Sequence, residues 1–394
     1  MDWFKHIDME KVIGWRRWLH AHAELSFNEF ETSEFIAKRL SEMDGIEVLR
    51  LTKTGIVGIL ECGKPGKVIG LRADIDALNL TEEANVDFKS QNEGVMHACG
   101  HDAHAAMLLG AASVLSKMRS GLSGVVKFIF QHAEETPPGG ALDILAIGLL
   151  DDVEHYFAVH VVGDTKIGVI GARSGSALAA CDSYKLKIKG KGSHASTPQS
   201  SIDALSIGAN VIVALNQIVS RNISPLESVV ISHGVFKCGS ANNVIPDTAE
   251  LQGSIRTFNA DIRDLAEKRI RTVVDRVCTA FDAGYELSYG RGYPSLINDE
   301  RCYRLAKAAA AEVVPECEFK QNERALAGDD YAYYLEKAPG VMVFIGCGDD
   351  ETCTFINHHP KFKVNEDCLI HGLKMYTGYT MAVMNETDAP LLNP

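Results

Sequence analysis

A change of texture at residue 182 constrains this chain more than any other feature. From there to residue 292 the apolar periodicity predicts strand 183–189, helix 201–220, strands 228–236 and 244–257, helix 261–282 and strand 285–290. The order βαββαβ is the ferredoxin-like arrangement, a small domain that closes its own core. On both sides the pattern is α/β. Helices are predicted at 9–20, 30–43 and 102–118, with strands in "GIVGILEC", "KVIGLRAD", "GVVKFIFQ" and "YFAVHV"; beyond the insertion come helices near 300–313, 329–336 and 366–385 and the strand "GVMVFIG". At 394 residues the chain is too long for one comfortable core. The expected architecture is a larger α/β domain, residues 1–181 and 293–394, interrupted by a small α+β domain, residues 182–292.

A net charge of -13 and the lack of a long basic run argue against a nucleic-acid partner and against an anionic membrane surface. The opening "MDWFKHIDMEKVIGWRRWLH" lacks the apolar core of a signal peptide, and no apolar run approaches the roughly 20 residues of a membrane helix. Ten cysteines are scattered singly, which predicts reduced thiols in a cytoplasm.

"MHACGHDAHAAM", residues 96–107, places three histidines, a cysteine and an aspartate in twelve positions. Helix positions i and i+2 point apart, so Cys99 and His101 converge only from a strand end or loop, which Gly100 permits. Asp102 is predicted to cap the helix that follows. A thiolate and an imidazole on such a turn make half a metal site, and further ligands must come from elsewhere. In "QHAEETPPGGA", Glu134 and Glu135 stand at the carboxyl end of a strand, where ligands gather in open α/β sheets. On an extended chain adjacent side chains project to different sides, so one carboxylate can hold metal while its neighbour faces substrate. His160 closes "YFAVH", and His358 and His359 stand in "FINHHPKF". Singly, a Glu pair is commonly solvated and a lone histidine packed. Their shared placement at strand ends argues for a site.

Seven stretches, "RRWLHAHAELSFNEFET", "GLRADIDAL", "MHACGHDAHAAM", "FIFQHAEE", "GKGSHASTP", "NVIPDTAELQGSIRTF" and "HHPKF", in this order, resemble the metal-dependent amidohydrolases of the aminoacylase and carboxypeptidase G family. The similarity spans about residues 12 to 385 and points to the subgroup of hippurate hydrolase and the plant auxin-conjugate hydrolases. It implies a dinuclear metallopeptidase-like catalytic domain, residues 1–181 and 293–394, with 182–292 as an inserted ferredoxin-like lid that commonly mediates dimerisation. By the resemblance, Cys99, His101, Glu135, His160 and His358 bind two divalent ions and Glu134 is the general base. His358 is preferred to His359 because the family motif reads His, a variable residue, then Pro. In the lid, His194 would polarise the scissile carbonyl, and Asn243 and Arg256 would grip a substrate carboxylate, for which a planar guanidinium is well shaped. The chain departs from the family at Ala23, Asn79 and His132, each where Pro is usual, and in "GDDYAYY". These departures bear on substrate, with residues 132 and 329–334 expected near the pocket.

The implied reaction is hydrolysis of the amide bond of small N-acyl amino acids by metal-activated water, in a homodimer paired through the lid. A thiolate ligand disfavours Mg²⁺ and Ca²⁺; Mn²⁺ and Zn²⁺ are expected, with Co²⁺ and Ni²⁺ as alternatives. Competing readings are a dipeptidase or aminopeptidase on the same scaffold, and a binding protein that has lost catalysis, against which the retained Glu134 and Glu135 argue. Asp74 and Asp76, two apart at a strand end, are expected to orient a ligand histidine or to serve as caps. His97 and His104 are expected to be packed or supporting. His20 and His22, near Glu24 and Glu29, suggest a cap or surface pairs.

Overall fold

The computed structural model describes residues 2–349 and 351–386, so positions 387–394 of the predicted larger domain lie outside the described residues. The chain divides into two compact units, Met1–Ala177, Ile297–Glu323 and Asp330–Pro394 in one, Leu178–Leu296 and Arg324–Asp329 in the other. The short segment 324–329 joins the second unit because Ala179 N–H reaches the carbonyls of Ala325 and Ala327 at 3.1 and 2.9 Å. Such a segment has no periodicity to announce it.

The first unit is built on an eight-stranded sheet in the order Ile46–Arg50, Ile56–Glu61, Ser123–Gln131, Lys64–Asp74, His155–Lys166, Gly340–Gly348, Val169–Ala172 and Glu318–Gln321. The four inner strands from Ser123–Gln131 to Gly340–Gly348 are mutually parallel. They read as apolar runs because helices cover the sheet. The short strands Ile46–Arg50, Val169–Ala172 and Glu318–Gln321 were not predicted; the two at the sheet edges lack a continuous apolar run, and the four residues of Val169–Ala172 are too few to show a period. The helix His101–Met118 is apolar almost all round and buried along most of its length, packed against Met9–Ala21 and Leu369–Asn385.

His160 does not close its strand, which continues to Lys166. The register explains where it sits. Pairing with Lys64–Asp74 ends at Arg72 and Ala158, while pairing with Gly340–Gly348 continues through His160 and Phe344 to Val162 and Gly346. His160 therefore lies just past the point where one neighbour has left the sheet, the kind of crevice in which α/β proteins bind ligands.

The second unit is a four-stranded antiparallel sheet, ordered Val229–Cys238, Thr248–Thr257, Ala180–Lys189, Gly284–Gly290, with helices Ala204–Arg221 and Ala260–Ala280 packed on it. Asp203 and Asn259 cap these helices by accepting backbone N–H groups of the first turn. The predicted strand 244–257 is split around Pro246, which has no N–H to donate: Val244–Ile245 pairs with Ser193–His194 in a separate ribbon, and the main strand begins at Thr248. One helix, Ala204–Arg221, is long and apolar enough to cross a membrane by length and composition, contrary to the expectation that no run comes near this. In the fold its Ile207, Val211, Leu215 and Ile218 are buried in the small domain's core.

Candidate metal centre

Gly100 precedes the helix at φ +87, and a Cβ there would stand 2.3 Å from Val161 Cγ2. Only glycine fits, and it lets Cys99 and His101 turn toward one point. The helix starts at His101, so Asp102 is not its cap as predicted. The Asp102 carboxylate instead accepts Arg16 Nε at 2.7 Å and His20 Nδ1 at 2.9 Å. Burial opposes its charge, but Arg16 and His20 hold it well below the usual carboxylate range. His20 is thus buried, with Glu82 Oε1 3.1 Å from its other nitrogen, rather than part of a surface pair.

Asp76 aims His101. Its backbone oxygen and Oδ1 lie 2.9 and 3.2 Å from His101 Nδ1, which donates to them and leaves the lone pair on Nε2. That Nε2 is buried and makes no hydrogen bond, a loss of about 1–3 kcal/mol unless something else occupies it. Asp76 Oδ2 also accepts Glu135 N–H at 3.0 Å and the Ser26 hydroxyl at 2.7 Å, tying two proposed ligands to one carboxylate. His160 donates from Nδ1 to Val161 O at 2.8 Å, and its Nε2 lies 3.6 Å from Cys99 Sγ. His358 Nε2 is 3.1 Å from Glu135 Oε1.

The six predicted ligand and base residues fall in three overlapping groups: Cys99, His101 and His160; Cys99, Glu135 and His358; and His101, Glu134 and Glu135. Within each, the donor atoms lie within 4.8 Å of one another. Glu134 and Glu135 do not project to opposite sides as an extended chain would have them. Ala133, just before them, has left-handed backbone at φ +52, and both carboxylates lie in the His101 group. His359 stays outside, accepting from Lys361 N–H at 3.0 Å and stacked on Phe355.

The electrostatics suit a cation. Burial would lower His101, yet Asp74, Cys99 and Asp76 raise it well above its ordinary value. Hydrogen bonds to Cys99 and Glu135 push His358 up to about 10. Burial and His104 bring His160 down to about 3, leaving the neutral imidazole that ligates. A set of S, N and O donors that runs from the buried Cys99 and His101 to the exposed His358, with an unclaimed ring nitrogen, fits divalent metal.

His104 belongs to the support. Its Nδ1 donates to Asp74 Oδ1 at 2.6 Å and its Nε2 accepts Val161 N–H at 2.8 Å, so neither nitrogen is left for an ion. Asn357, which carried no sequence signal beyond its place beside His358, donates to Cys99 O at 3.1 Å and Val161 O at 3.0 Å and accepts from Gly163 N–H. It joins the loops bearing Cys99, His160 and His358. His132 and Asp330 are buried; Asp330 braces the strand ends through Arg72 and Gln131 at 2.8 Å each. A separate grouping, Glu316, Cys317 and His371, already holds a cation, since Lys374 Nζ is 3.4 Å from Glu316.

In the second unit, His194 and Asn243 come together: Asn243 O accepts Ala195 N–H at 3.0 Å, and His194 pairs with Val244. His194 Nδ1 accepts from Ser196, leaving Nε2 outward of that contact. Arg256 is not with them. It sits at the far end of the strand that begins at Thr248, eight residues or about 27 Å along it, with Nε donating to Leu326 O at 3.2 Å.

The sequence profile described as "Peptidase family M20/M25/M40" matches residues 70–382. The chain is 39% identical over 376 residues to the N-acetylcysteine deacetylase of Bacillus subtilis, covering 95% of this chain and 97% of that one. It is 43% identical over 287 residues to the N-acyl-L-amino acid amidohydrolase of Geobacillus stearothermophilus, covering 73% and 78%. A solved Bacillus subtilis structure, described as a dinuclear metal-binding peptidase of the M20 family, matches with a TM-score of 0.83 at 34% identity, covering 96% of this chain and 99% of that one. A profile match over most of the chain and relatives of this identity along nearly its full length leave one assignment: the chain belongs to the peptidase family M20/M25/M40.

Proposed function

We propose that this protein is a dinuclear metal-dependent amidohydrolase that releases an amino acid from small N-acyl amino acids. The observation that carries the reading is the convergence of Cys99, His101, Glu134, Glu135, His160 and His358 around the unclaimed Nε2 of His101. The names of the two relatives, a deacetylase and an amidohydrolase of N-acyl amino acids, supply the substrate class. Cys99, His101, Glu135, His160 and His358 would hold the ions. Divalent ions lower the pKa of water to about 7 and polarise an amide carbonyl. Glu134 takes the proton of the attacking water and returns it to the leaving nitrogen. The thiolate favours Mn²⁺ or Zn²⁺, with Co²⁺ and Ni²⁺ as substitutes. The described cysteines are all free thiols, which supports a cytoplasmic setting. The hippurate and auxin-conjugate subgroup predicts acceptance of aromatic acyl groups. The test is to strip metal, restore each ion in turn and assay N-acetyl and N-benzoyl amino acids beside free dipeptides. Turnover confined to substrates with a free α-amine would replace this reading with the peptidase one.

Two features support a homodimer through the inserted domain. Val229–Cys238 is a sheet edge, and Phe236, Val213 and Val244 are exposed. His194 and Asn243 also lie too far from Arg256 for one chain to bring all three to one small substrate, so a two-fold pair would share them between copies. Mixing an inactive Glu134→Gln chain with an inactive His194→Ala chain should then restore activity, because one hybrid site has both groups intact. A monomer by light scattering at micromolar concentration, or no restoration on mixing, would remove the shared site.

A further inference from the structure

We infer that Glu29 is a positioning residue for Glu134, holding the backbone from which that carboxylate is presented; this rests on Glu134 being the base. Two non-glycine residues with left-handed backbone, Phe27 at φ +66 and Ala133 at φ +52, both donate their N–H groups to Glu29 Oε1, at 2.9 and 2.8 Å. A bulky residue at positive φ is strained and persists only where its surroundings over-determine it. The Thr54 hydroxyl donates to Glu29 Oε2 at 2.8 Å. Glu29 is 0% exposed, and although it precedes the helix Phe30–Ser41 its side chain makes no capping bond. Its Oε1 serves the two turns and its Oε2 the Thr54 hydroxyl. The Phe27 ring also meets His132, the residue before Ala133, edge to face at 5.6 Å.

Glu134 follows Ala133 directly and its carboxylate lies in the His101 group, whereas Glu135 is held separately by its own N–H to Asp76. Without the Glu29 carboxylate the buried Ala133 N–H has no acceptor, and Ala133 gains by returning to negative φ and carrying Glu134 with it. Glutamine can do the same work, since its oxygen accepts the two N–H groups and its nitrogen can donate to Thr54. Leucine cannot.

The experiment compares Glu29→Gln and Glu29→Leu, each with and without Ala133→Gly, in the metal-loaded enzyme. Glu29→Gln should keep kcat within about twofold, whereas Glu29→Leu should lower it about tenfold or more, with KM and bound metal little changed. Ala133→Gly, for which left-handed backbone carries no steric penalty, should recover several-fold in the Leu background and add nothing to the parent. Glu29→Asp, one methylene too short to reach both N–H groups, carries the same expectation at smaller size if the leucine variant does not fold. Amide exchange at Ala133 in metal-free protein should be slow in the parent and Glu29→Gln and fast in Glu29→Leu, a readout independent of turnover. An active Glu134→Gln would sink the base assignment alone, since the exchange arm still reads the hold of Glu29 on Ala133. Parental kcat in Glu29→Leu and Glu29→Asp, or kcat and metal lost together with no recovery by Ala133→Gly, overturns the inference.

Discussion

Glu134→Gln should abolish turnover, by about 10² to 10⁴ in kcat, and leave bound metal at the parental level. The substitution keeps the size of the side chain and removes only its capacity to take a proton. Glu134 is buried at the end of the strand Ser123–Gln131, with its carboxylate in the His101 group, so the change occurs where a water and a scissile amide would meet. Glu135 remains to hold metal, fixed by its own N–H to Asp76 and by its 3.1 Å approach to His358. The two measurements separate base from ligand: kcat reads proton transfer, and metal content by mass spectrometry reads coordination. Activity above about a tenth of the parent would exclude Glu134 as the main base.

Cys99→Ala should lose metal and activity together, by more than about 100-fold, and Cys99→Asp, which restores an anionic ligand of similar reach, should recover part of both. Cys99 belongs to two of the three donor groups, so its loss weakens the whole set. Burial raises its thiol pKa in the metal-free site, and coordination reverses this by binding the thiolate. Alkylation at Cys99 should therefore be blocked in the metal-loaded protein and appear after chelation. Cys347 and Cys368, both 0% exposed, serve as internal controls that stay unlabelled in both states. Equal labelling of Cys99 with and without chelator, in a protein that remains folded, would remove it from the centre.

Cys99, His101, Glu134, His160 and His358, singled out in the sequence by residue type and by the family resemblance, are the residues whose donor atoms the structure groups together. The helices 300–313 and 102–118 were placed to within a residue, because burial on one face leaves a helical period and burial all round leaves a long run of apolar helix formers. Glu29 was read as belonging to a cap or a surface pair and is fully buried; Asp102 was read as a cap and is a partner of Arg16 and His20. Glu134 and Glu135 were given different sides of an extended chain, whereas both carboxylates lie in the His101 group.

What the sequence determined by itself was the order of the longer elements, the inserted ferredoxin-like unit and the residue types able to meet at strand ends. Periodicity is a local record of burial, and it survives without knowledge of partners. Only the tertiary structure decided which nitrogen of His101 is free, through Asp76, 25 residues away. It alone decided what holds Ala133, through Glu29 at a separation of 104, and what joins the Cys99 and His358 loops, through Asn357 and Cys99 at a separation of 258. It likewise put Arg256 at the opposite end of its strand from His194 and Asn243. These are hydrogen bonds and distances between segments far apart along the chain, and no short-range pattern encodes which segment will supply a buried donor with its acceptor.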